Sequence, residues 1–381
     1  MINRNRLAET FDQLVRIDSI SKEEARLAAT LKVMLEDLGA RVEFDDVGET
    51  LGGDCGNLIA RFPGTADAPP LLLNAHLDTV EPGRGIVPVL ADGVFTSAGE
   101  TILGADDKSA LAALLESLRV IWENDLPHGP LEVVLTVCEE IGLQGAKHFD
   151  VGRITATYGY ALDASDPEGI VNRAPGANRF TIEIHGKDAH AGAAPETGIN
   201  AIWLAGKAIA ELPTGRIDPE TTCNIGLIEG GKATNIVPDR CTFKGEVRSH
   251  DEATLEGLTD RIFSTVRSVI EAHRSDPDAE LPRVEMELSR DFARTHIPED
   301  HPVIDLARRA AANLGRELIP KTTGGGADAN IFFGHGVAVG VLGTGMRDMH
   351  SVRESIRLDD LVKTAELVVE IVRLQAEARN S

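Results

Sequence analysis

The sequence predicts an α/β fold in which a mostly parallel central sheet is sandwiched by helices and a smaller α/β domain is inserted into the chain. Short apolar runs alternate with segments of helical periodicity in the first third of the chain, and this pattern returns from His301 onward. Between the two regions, apolar and polar residues alternate as in strands with one exposed face. The 381 residues are enough for two domains.

The first region contains alternating signals for helices and strands. A capping box is predicted from Ser21 to Glu24, at the start of a helix that stops at Gly39. The apolar runs at 70–75 and 131–137 each end in a polar cluster and predict buried strands of a parallel sheet. Leucines between these runs follow the spacing of an amphipathic helix.

The middle region predicts a separate small domain. Its elements are expected as a strand at 179–186, a helix at 197–212, strands at 222–229 and 241–248, a helix at 251–274 and a strand at 283–289. This order is that of an open-faced, ferredoxin-like sandwich. We therefore expect a catalytic domain formed by residues 1–176 and 291–381, with residues 177–290 inserted between its two pieces.

Composition excludes several classes of function. The formal net charge of -23 would repel phosphate backbones, so no nucleic-acid partner is expected. No apolar run has the length of a membrane span, and the first residues lack the apolar core of a signal peptide, so we expect a cytoplasmic protein without a membrane partner. Four widely spaced cysteines fit neither a disulfide scaffold nor a thiolate zinc site.

Acidic residues and histidines fall where the predicted strands end and where one helix begins. In parallel α/β sheets, ligands bind beyond the carboxyl ends of the strands. The residues placed in this way are His76, Asp78, Asp106, Asp107, Glu139, Glu140, Asp163 and His350.

Each of these residues, taken alone, has a purely structural interpretation. An HxD triplet is common, Asp106 could cap a helix, Glu139 and Glu140 could end a solvated strand, and His350 could be an ordinary histidine. Together they would crowd several carboxylates at one edge of a sheet, which is unfavourable unless a cation is present.

The mixture of carboxylates and imidazoles indicates which metal would bind. Such a set suits zinc, cobalt or manganese rather than calcium. One carboxylate can bridge two ions, and of two adjacent glutamates one can bind metal while the other remains free as a base. We expect two divalent ions, with Zn²⁺ preferred over Co²⁺ or Mn²⁺.

Five motifs resemble those of the M20 metallopeptidases, most closely the branch of peptidase T and peptidase T-like tripeptide aminopeptidases. The likeness spans nearly the whole chain and preserves the order of the motifs. They are NAHLDTV (74–80), GADDK (104–108), CEEIG (138–142), ALDAS (161–165) and MHS (349–351).

This resemblance implies two metal sites that share one bridging carboxylate, with a cis peptide after that residue. One ion would be held by His76, Asp106 and Asp163, and the other by Asp106, Glu140 and His350. The resemblance also implies that Glu139 is the general base and that Asp78 orients His76 as a metal ligand.

The inserted segment resembles the lid and dimerisation domain of the same family. His190 matches a lid histidine that reaches the partner subunit's active site and steadies an oxyanion, and Asn235 matches a residue that contacts substrate across the dimer. Arg248 matches an arginine that pairs with a substrate carboxylate, and Gly325 and Gly326 match a loop that lines the pocket. From the residues alone, His190 could be a loop histidine and Arg248 a strand-edge charge.

The expected function is therefore hydrolysis of short peptides by a homodimeric metallopeptidase. In this family, Asp at the position of Asp163 is typical of aminopeptidases, whereas carboxypeptidases and deacylases carry Glu. We expect an aminopeptidase that releases the N-terminal residue from tripeptides, with Glu139 activating a water that bridges the metals. The alternatives are an M20 carboxypeptidase, dipeptidase or N-acyl-amino-acid amidohydrolase, and a non-catalytic metal-binding protein. The chain is shorter than typical peptidase T, which bears on the loops that recognise the free amino terminus.

Overall fold

The computed structural model describes residues 1–276 and 278–377 and forms two compact units. The first unit comprises Met1–Arg173 and Thr295–Ser381, and the second comprises Ala174–Arg294. The boundaries expected from the sequence, after residues 176 and 290, lie a few residues from these limits.

Helices are found in both units. They are α1 (Arg4–Val15), α2 (Ala25–Asp37), α3 (Val47–Leu51), α4 (Ala105–Glu123), α5 (Gln144–His148), α6 (Ala201–Glu211), α7 (Glu252–Glu271), α8 (Pro302–Asn313), α9 (Asp328–Gly334) and α10 (Leu358–Gln375). Among the described residues, no helix is both long and apolar enough to cross a bilayer.

Strands fall into three groups along the chain. Before the second unit lie β1 (Arg41–Phe44), β2 (Leu58–Phe62), β3 (Leu71–His76), β4 (Pro88–Ala91), β5 (Val94–Ser97), β6 (Leu131–Thr136), β7 (Tyr158–Ala164) and β8 (Gly169–Ala174). Within it lie β9 (Gly176–His185), β10 (Gly215–Asp218), β11 (Thr221–Gly230), β12 (Arg240–Ser249) and β13 (Arg283–Phe292). After it lie β14 (Thr295–His296), β15 (Ile319–Thr322), β16 (Ala338–Gly343), β17 (Met346–Arg347) and β18 (Ser355–Arg357).

The first unit is built on a mixed sheet in the order β1-β2-β6-β3-β7-β16-β8-β14, with β15 beside β8. The central strands β6, β3, β7 and β16 are parallel. β2 runs antiparallel to both β1 and β6, and β8 runs antiparallel to β16 but parallel to β15. This arrangement confirms the predicted α/β class, with four adjacent parallel strands in the middle of the sheet. Because these strands are parallel, their carboxyl ends lie along the same edge.

Apolar side chains cover both faces of the central sheet. Every residue of β3 and β6 is buried, as expected for strands between two layers. Leu71 and Leu73 belong to a core with α1, α2, α4, α8 and α10, while Leu72 belongs to a smaller core with α9. This alternation follows the two-residue period of a strand.

The predicted capping box at the start of α2 is wrong. The helix begins at Ala25, and Glu24 at the N-cap position makes no capping hydrogen bond. Asp54 instead accepts the hydrogen bond of the Ala25 amide at 2.9 Å, and the Ser21 hydroxyl donates to Asp78 at 2.6 Å. Long-range contacts have therefore replaced the local cap.

The second unit has the order β10-β11-β12-β9-β13, antiparallel throughout. Its buried apolar residues come from α6, α7 and the sheet. This is the predicted open-faced sandwich with one extra edge strand, β10. A further sheet in the order β17-β18-β5-β4, within the first unit, was not predicted because its strands are only two to four residues long.

Replacing a core residue of the second unit is expected to destabilise it. Ile182 has no exposed surface and packs in this core, so Ile182→Ala should lower the free energy of unfolding by about 2–5 kcal/mol. Denaturant unfolding followed by circular dichroism measures the change. Leu288, 51% exposed on β13, supplies the control, since Leu288→Ala should change stability by less than about 0.5 kcal/mol. Equal losses in the two variants would contradict the described core.

Candidate metal centre

Five predicted ligands converge at the carboxyl edge of the central sheet. His76 ends β3, Glu140 follows β6, Asp163 lies near the end of β7, Asp106 lies at the start of α4, and His350 follows β17. The Nε2 atom of His76 lies 3.1 Å from Oδ1 of Asp106. The Nε2 atom of His350 lies 3.3 Å from Oδ2 of Asp106 and 3.0 Å from Oε1 of Glu140.

Asp106 is common to two groups of potential ligands. Within each group, one ligand atom per residue lies within 4.8 Å of the others. The groups are His76 with Asp106 and Glu140, and Asp106 with Asp107 and Asp163. The shared position of Asp106 fits a bridging carboxylate, while the division of the ligands between two ions stays a prediction. Asp107, present in the GADDK motif but given no role from the sequence, joins the second group.

The backbone at the start of α4 is irregular. Gly104 is the N-cap with a φ of 72°, and Asp106 and Asp107 have non-helical dihedral angles inside the helix limits. The peptide bond between Asp106 and Asp107 is cis, as the resemblance implied. Since Gly104 occupies the N-cap position, Asp106 is not the cap of this helix.

His76 is held so that its Nε2 atom faces Asp106. Its Nδ1 atom lies 2.9 Å from the backbone carbonyl oxygen of Asp78 and 3.5 Å from Oδ1 of the same residue. An imidazole nitrogen beside a carbonyl oxygen must be the donor, so Nδ1 carries the proton and Nε2 of the neutral ring is free to bind a metal. The nearer contact is thus the main chain of Asp78 rather than the carboxylate expected from the sequence.

The carboxylate of Asp78 fixes the segment that follows β6. It accepts hydrogen bonds from the backbone amides of Glu139 at 2.8 Å and Glu140 at 3.1 Å, in addition to that from Ser21. Asp78 is fully buried. The residue therefore connects the end of β3, which carries His76, to the proposed base and its neighbouring ligand.

Burial and repulsion between carboxylates make negative charge unfavourable here. Burial raises the pKa of Asp163, Asp107 and Glu139 well above the usual range, and nearby carboxylates raise it further. Burial also raises the pKa of Glu140.

The pKa values of the two histidines are also raised, which for an imidazole favours the charged form. Hydrogen bonds to Asp106 and Glu140 raise the pKa of His350 to about 10. Burial would lower the pKa of His76, but hydrogen bonds to Asp106 and Asp78 raise it well above its ordinary value. For Asp106, burial acts to raise the pKa, and the hydrogen bonds from His350 and His76 outweigh it and lower the pKa. The cluster therefore favours bound positive charge.

The donor set fits divalent metal ions. Several carboxylates and two imidazoles share one largely buried cluster, and both imidazoles direct Nε2 at the same aspartate. Oxygen and nitrogen donors in this mixture suit zinc, cobalt or manganese. Glu139 is 9% exposed and lies outside both ligand groups.

One buried carboxylate near this edge was not identified from the sequence. Asp328 begins α9, one residue after the glycine run 324–326, and accepts a hydrogen bond from the Thr136 hydroxyl. Its Oδ1 atom has no hydrogen-bond partner among the described residues, and burial raises its pKa to about 6. Its position after a glycine-rich loop was the available signal, but an aspartate at a helix start more often caps the helix.

The predicted lid residues lie in the second unit. His190 is exposed, and its Nδ1 atom accepts hydrogen bonds from the amides of Gly192 at 3.2 Å and Ala193 at 3.1 Å. The amide of Ala191 donates to the carbonyl oxygen of Asn235 at 3.0 Å, so His190 and Asn235 lie on adjoining segments. Because Nδ1 is an acceptor, the neutral ring carries its proton on Nε2 and can donate it in a hydrogen bond.

The other predicted substrate-binding residues have different surroundings. Arg248, partly buried on β12 of the second unit, forms a two-point ion pair with Glu246 at 2.9 and 3.2 Å. Gly325 and Gly326 belong to the first unit, in the loop between β15 and α9, where the Gly325 amide donates to the Thr323 hydroxyl at 3.2 Å.

Two family models match separate parts of the chain. The model of the M20 peptidase dimerisation domain matches residues 172–274, and that of peptidase family M28 matches residues 57–161. The first match covers most of the second unit, and the second contains the segments of His76, Asp106 and Glu140.

Three relatives match over almost the full length. The aminopeptidase PepT from Bacillus cereus is 41% identical, with a TM-score of 0.89, over 98% of this chain and 99% of its own. A tripeptidase from Staphylococcus aureus is 36% identical, with a TM-score of 0.92, over 99% of this chain and 100% of its own. An uncharacterized protein of Bacillus subtilis, YqjE, is 41% identical over 99% of this chain and 100% of its own.

Changing the carboxylate of Asp78 to an amide should destabilise the first unit. In Asp78→Asn only one oxygen remains to accept, and the amide group faces a backbone N–H, so we expect a loss of about 1–3 kcal/mol. Denaturant unfolding is the measurement. As a control, Asp12→Asn changes an exposed carboxylate paired with Arg16 and should leave the unfolding midpoint nearly unchanged. Unchanged stability in Asp78→Asn would show that its contacts are not structural.

Proposed function

Because the chain belongs to the M20 family of metallopeptidases, in its peptidase T-like branch, we propose that it releases the amino-terminal residue from short peptides, tripeptides above all. The observation that carries the proposal is the shared position of Asp106, between His76 and His350, with Glu139 beside the cluster. The aminopeptidase and the tripeptidase described above, similar over nearly the whole chain, support this substrate class. So does Asp163, which has the residue type typical of aminopeptidases in this family.

Two divalent ions, most simply Zn²⁺, are proposed as cofactors. His76, Asp106 and Asp163 would hold one ion, and Asp106, Glu140 and His350 the other. When bound, such a pair polarises the scissile carbonyl group and makes a water molecule more acidic. The neutral tautomer that Asp78 imposes on His76 presents the nitrogen needed for this role.

Glu139 is proposed as the general base. It takes a proton from the attacking water and passes it to the departing amine. Burial raises the pKa of Glu139 well above its usual range in the absence of bound cations. Positive charge bound at the cluster would favour the ionised form, which is the form that can accept a proton. Its backbone amide is fixed by Asp78, which limits how far the side chain can move from the cluster.

Residues of the second unit are proposed to bind the substrate. His190 donates from Nε2 to the oxyanion that forms at the attacked carbon, in the active site of the partner subunit. Asn235, on the adjoining segment, contacts the substrate across the same dimer. Arg248 exchanges Glu246 for the substrate carboxylate, while the amides of Gly325 and Gly326 line the pocket.

The proposed assembly is a homodimer formed through the second unit. The match to a peptidase dimerisation domain supports it, as do large apolar side chains that are exposed in that unit. They include Ile202 and Trp203 on α6, Leu227 and Ile228 on β11, and Leu288 on β13. The cytoplasmic location expected from the sequence remains a prediction.

A panel of substrates tests the proposed function. The metal-loaded protein should hydrolyse tripeptides with a free amino terminus faster than dipeptides, blocked peptides or N-acyl amino acids. If the protein cleaves N-acyl amino acids but not free tripeptides, its function is that of an amidohydrolase and not that of an aminopeptidase. Metal binding without hydrolysis of any member would favour a non-catalytic metal-binding protein.

Removing the proposed base should stop turnover but leave the metal in place. Because proton transfer by a positioned side chain contributes about 10²–10⁴-fold to rate, Glu139→Gln should lower kcat by that factor. Tripeptide hydrolysis and the metal content of the same sample are measured together, with Glu256→Gln, an exposed change in the second unit, as the control. Full activity in Glu139→Gln would show that Glu139 is not the general base. Loss of metal from this variant would indicate that Glu139 is a metal ligand.

Mixing two inactive variants tests whether His190 acts across the dimer. In a mixed dimer of Glu139→Gln and His190→Ala, one site combines an intact Glu139 with the partner's intact His190. About half the wild-type activity per dimer should return, because a two-fold dimer has two equivalent sites. Co-expression with two different affinity tags isolates the mixed dimer. If His190 acts within its own subunit, the mixed dimer stays inactive.

A further inference from the structure

A buried carboxylate behind the candidate metal centre connects the backbone segments of two proposed ligands. Glu354 is 1% exposed and lies on the loop that carries His350. Its Oε2 atom accepts hydrogen bonds from the amides of Leu103 at 2.8 Å and Gly104 at 2.7 Å, and Oε1 accepts that of Asp106 at 3.0 Å.

These amides need an acceptor from outside the helix. The first amides of a helix have no partner within it, and here Gly104 is in the left-handed region while Asp106 has non-helical angles. A single carboxylate satisfies three of these donors with both of its oxygens. The backbone of Asp106 is therefore positioned by Glu354 rather than by regular helical hydrogen bonding.

Glu354 also closes the loop that presents His350. This loop joins β17 to β18, and its backbone has positive φ values at Asp348 and His350. The amide of Glu354 donates to the carbonyl oxygen of Ser351 at 3.0 Å, and the Ser351 hydroxyl donates to the carbonyl oxygen of Asp348 at 2.7 Å. The side chain of His350 is 55% exposed, so the loop backbone, more than side-chain packing, determines its position.

We propose that Glu354 is a positioning residue that holds Asp106 and His350 at the separation needed to bind one metal ion between them. It contacts neither the substrate nor the reacting atoms. The inference rests on the proposed function in one respect, since Asp106 and His350 are taken as ligands. The affinity of that site for its metal ion would therefore depend on a residue that is not itself a ligand.

The chain offers a matched control in Glu132. This residue is 5% exposed and its carboxylate accepts hydrogen bonds from the amides of Thr155 and Ala156 at 2.8–3.0 Å and from the Thr155 hydroxyl at 2.9 Å. Glu132 lies at the amino end of β6, whereas Glu140 follows the carboxyl end. Changing either glutamate to glutamine removes the same kind of acceptor, but only Glu354 is bonded to a segment with a proposed ligand.

The test compares Glu354→Gln with Glu132→Gln in the full-length protein. Zn²⁺ affinity is measured by calorimetry with a competing chelator, the Co²⁺-loaded protein gives an absorption spectrum, and denaturant unfolding reports stability. We expect Glu354→Gln to weaken the binding of one of two ions by about 10–100-fold and to alter the Co²⁺ spectrum. Glu132→Gln should lose stability with both metal readouts unchanged. If Glu354→Gln does not fold, Glu354→Asp, which keeps the charge but withdraws the oxygens, should show the same selective weakening.

The outcomes separate this inference from the proposed function. Two ions bound equally well by wild type and Glu354→Gln would overturn the role of Glu354, as would equal weakening in Glu132→Gln. A wild-type protein that binds no Zn²⁺ would overturn the ligand assignment and the inference together. If Glu354→Gln selectively weakens the binding of one ion but the wild-type protein does not hydrolyse peptides, the role of Glu354 is supported and the proposed aminopeptidase activity is rejected.

Discussion

The first unit depends on one electrostatic constraint, the burial of several carboxylates beyond the carboxyl ends of the parallel strands of its mixed sheet. Burial and mutual repulsion raise the pKa of Asp163, Asp107 and Glu139, while Asp106 and Glu140 draw the pKa of His350 up to about 10. Unpaired negative charge in such surroundings is strongly unfavourable. Divalent ions would remove most of this cost, because each can be shared by several oxygens at once. The same arrangement that makes the cluster unfavourable on its own thus makes it selective for highly charged cations.

The backbone that carries the proposed ligands is irregular because it lies beyond the ends of the strands. Amides beyond the last ladder bond have no sheet partner, and buried amides must be paired. Buried carboxylates accept such hydrogen bonds around the ligands. Three of these acceptors are Asp78, which pairs with Glu139 and Glu140, Glu24, which pairs with Cys138, and Glu354, which pairs with Asp106 and its neighbours at the start of α4. Each of the three acceptors comes from a distant part of the sequence. The ligand segments are thereby held by a layer of buried carboxyl groups that do not themselves belong to the two ligand groups that share Asp106.

The sequence predicted the parts of this structure that follow from local pattern. β3 and β6 are buried throughout and were visible as apolar runs, so the convergence of the residues after them could be inferred. The layer behind the ligands could not. Glu354 lies in a loop where a glutamate is usually solvated, and its role depends on amides about 250 positions earlier in the chain. The capping box at Ser21 failed for the same reason, since both of its polar residues, Ser21 and Glu24, turn to the β3 and β6 ends instead. Short strands such as β17 and β18 lack enough residues to show a period.

Chemistry and specificity have different sources in this protein. The clustered ligands and Glu139 would serve an aminopeptidase, a carboxypeptidase or a deacylase equally well, because all three activate water against an amide carbonyl. What distinguishes the substrates is the charge at the ends of the peptide. Arg248 illustrates the consequence, since it is already paired with Glu246 and a substrate carboxylate would replace one ion pair by another. Such an exchange adds little net binding energy for a partly exposed pair. Its effect is to disfavour ligands that break the existing pair without replacing it by another carboxylate. We therefore expect Arg248 to favour ligands that carry a carboxylate, which tripeptides and N-acyl amino acids both have, and the rate of hydrolysis to depend on the metal cluster.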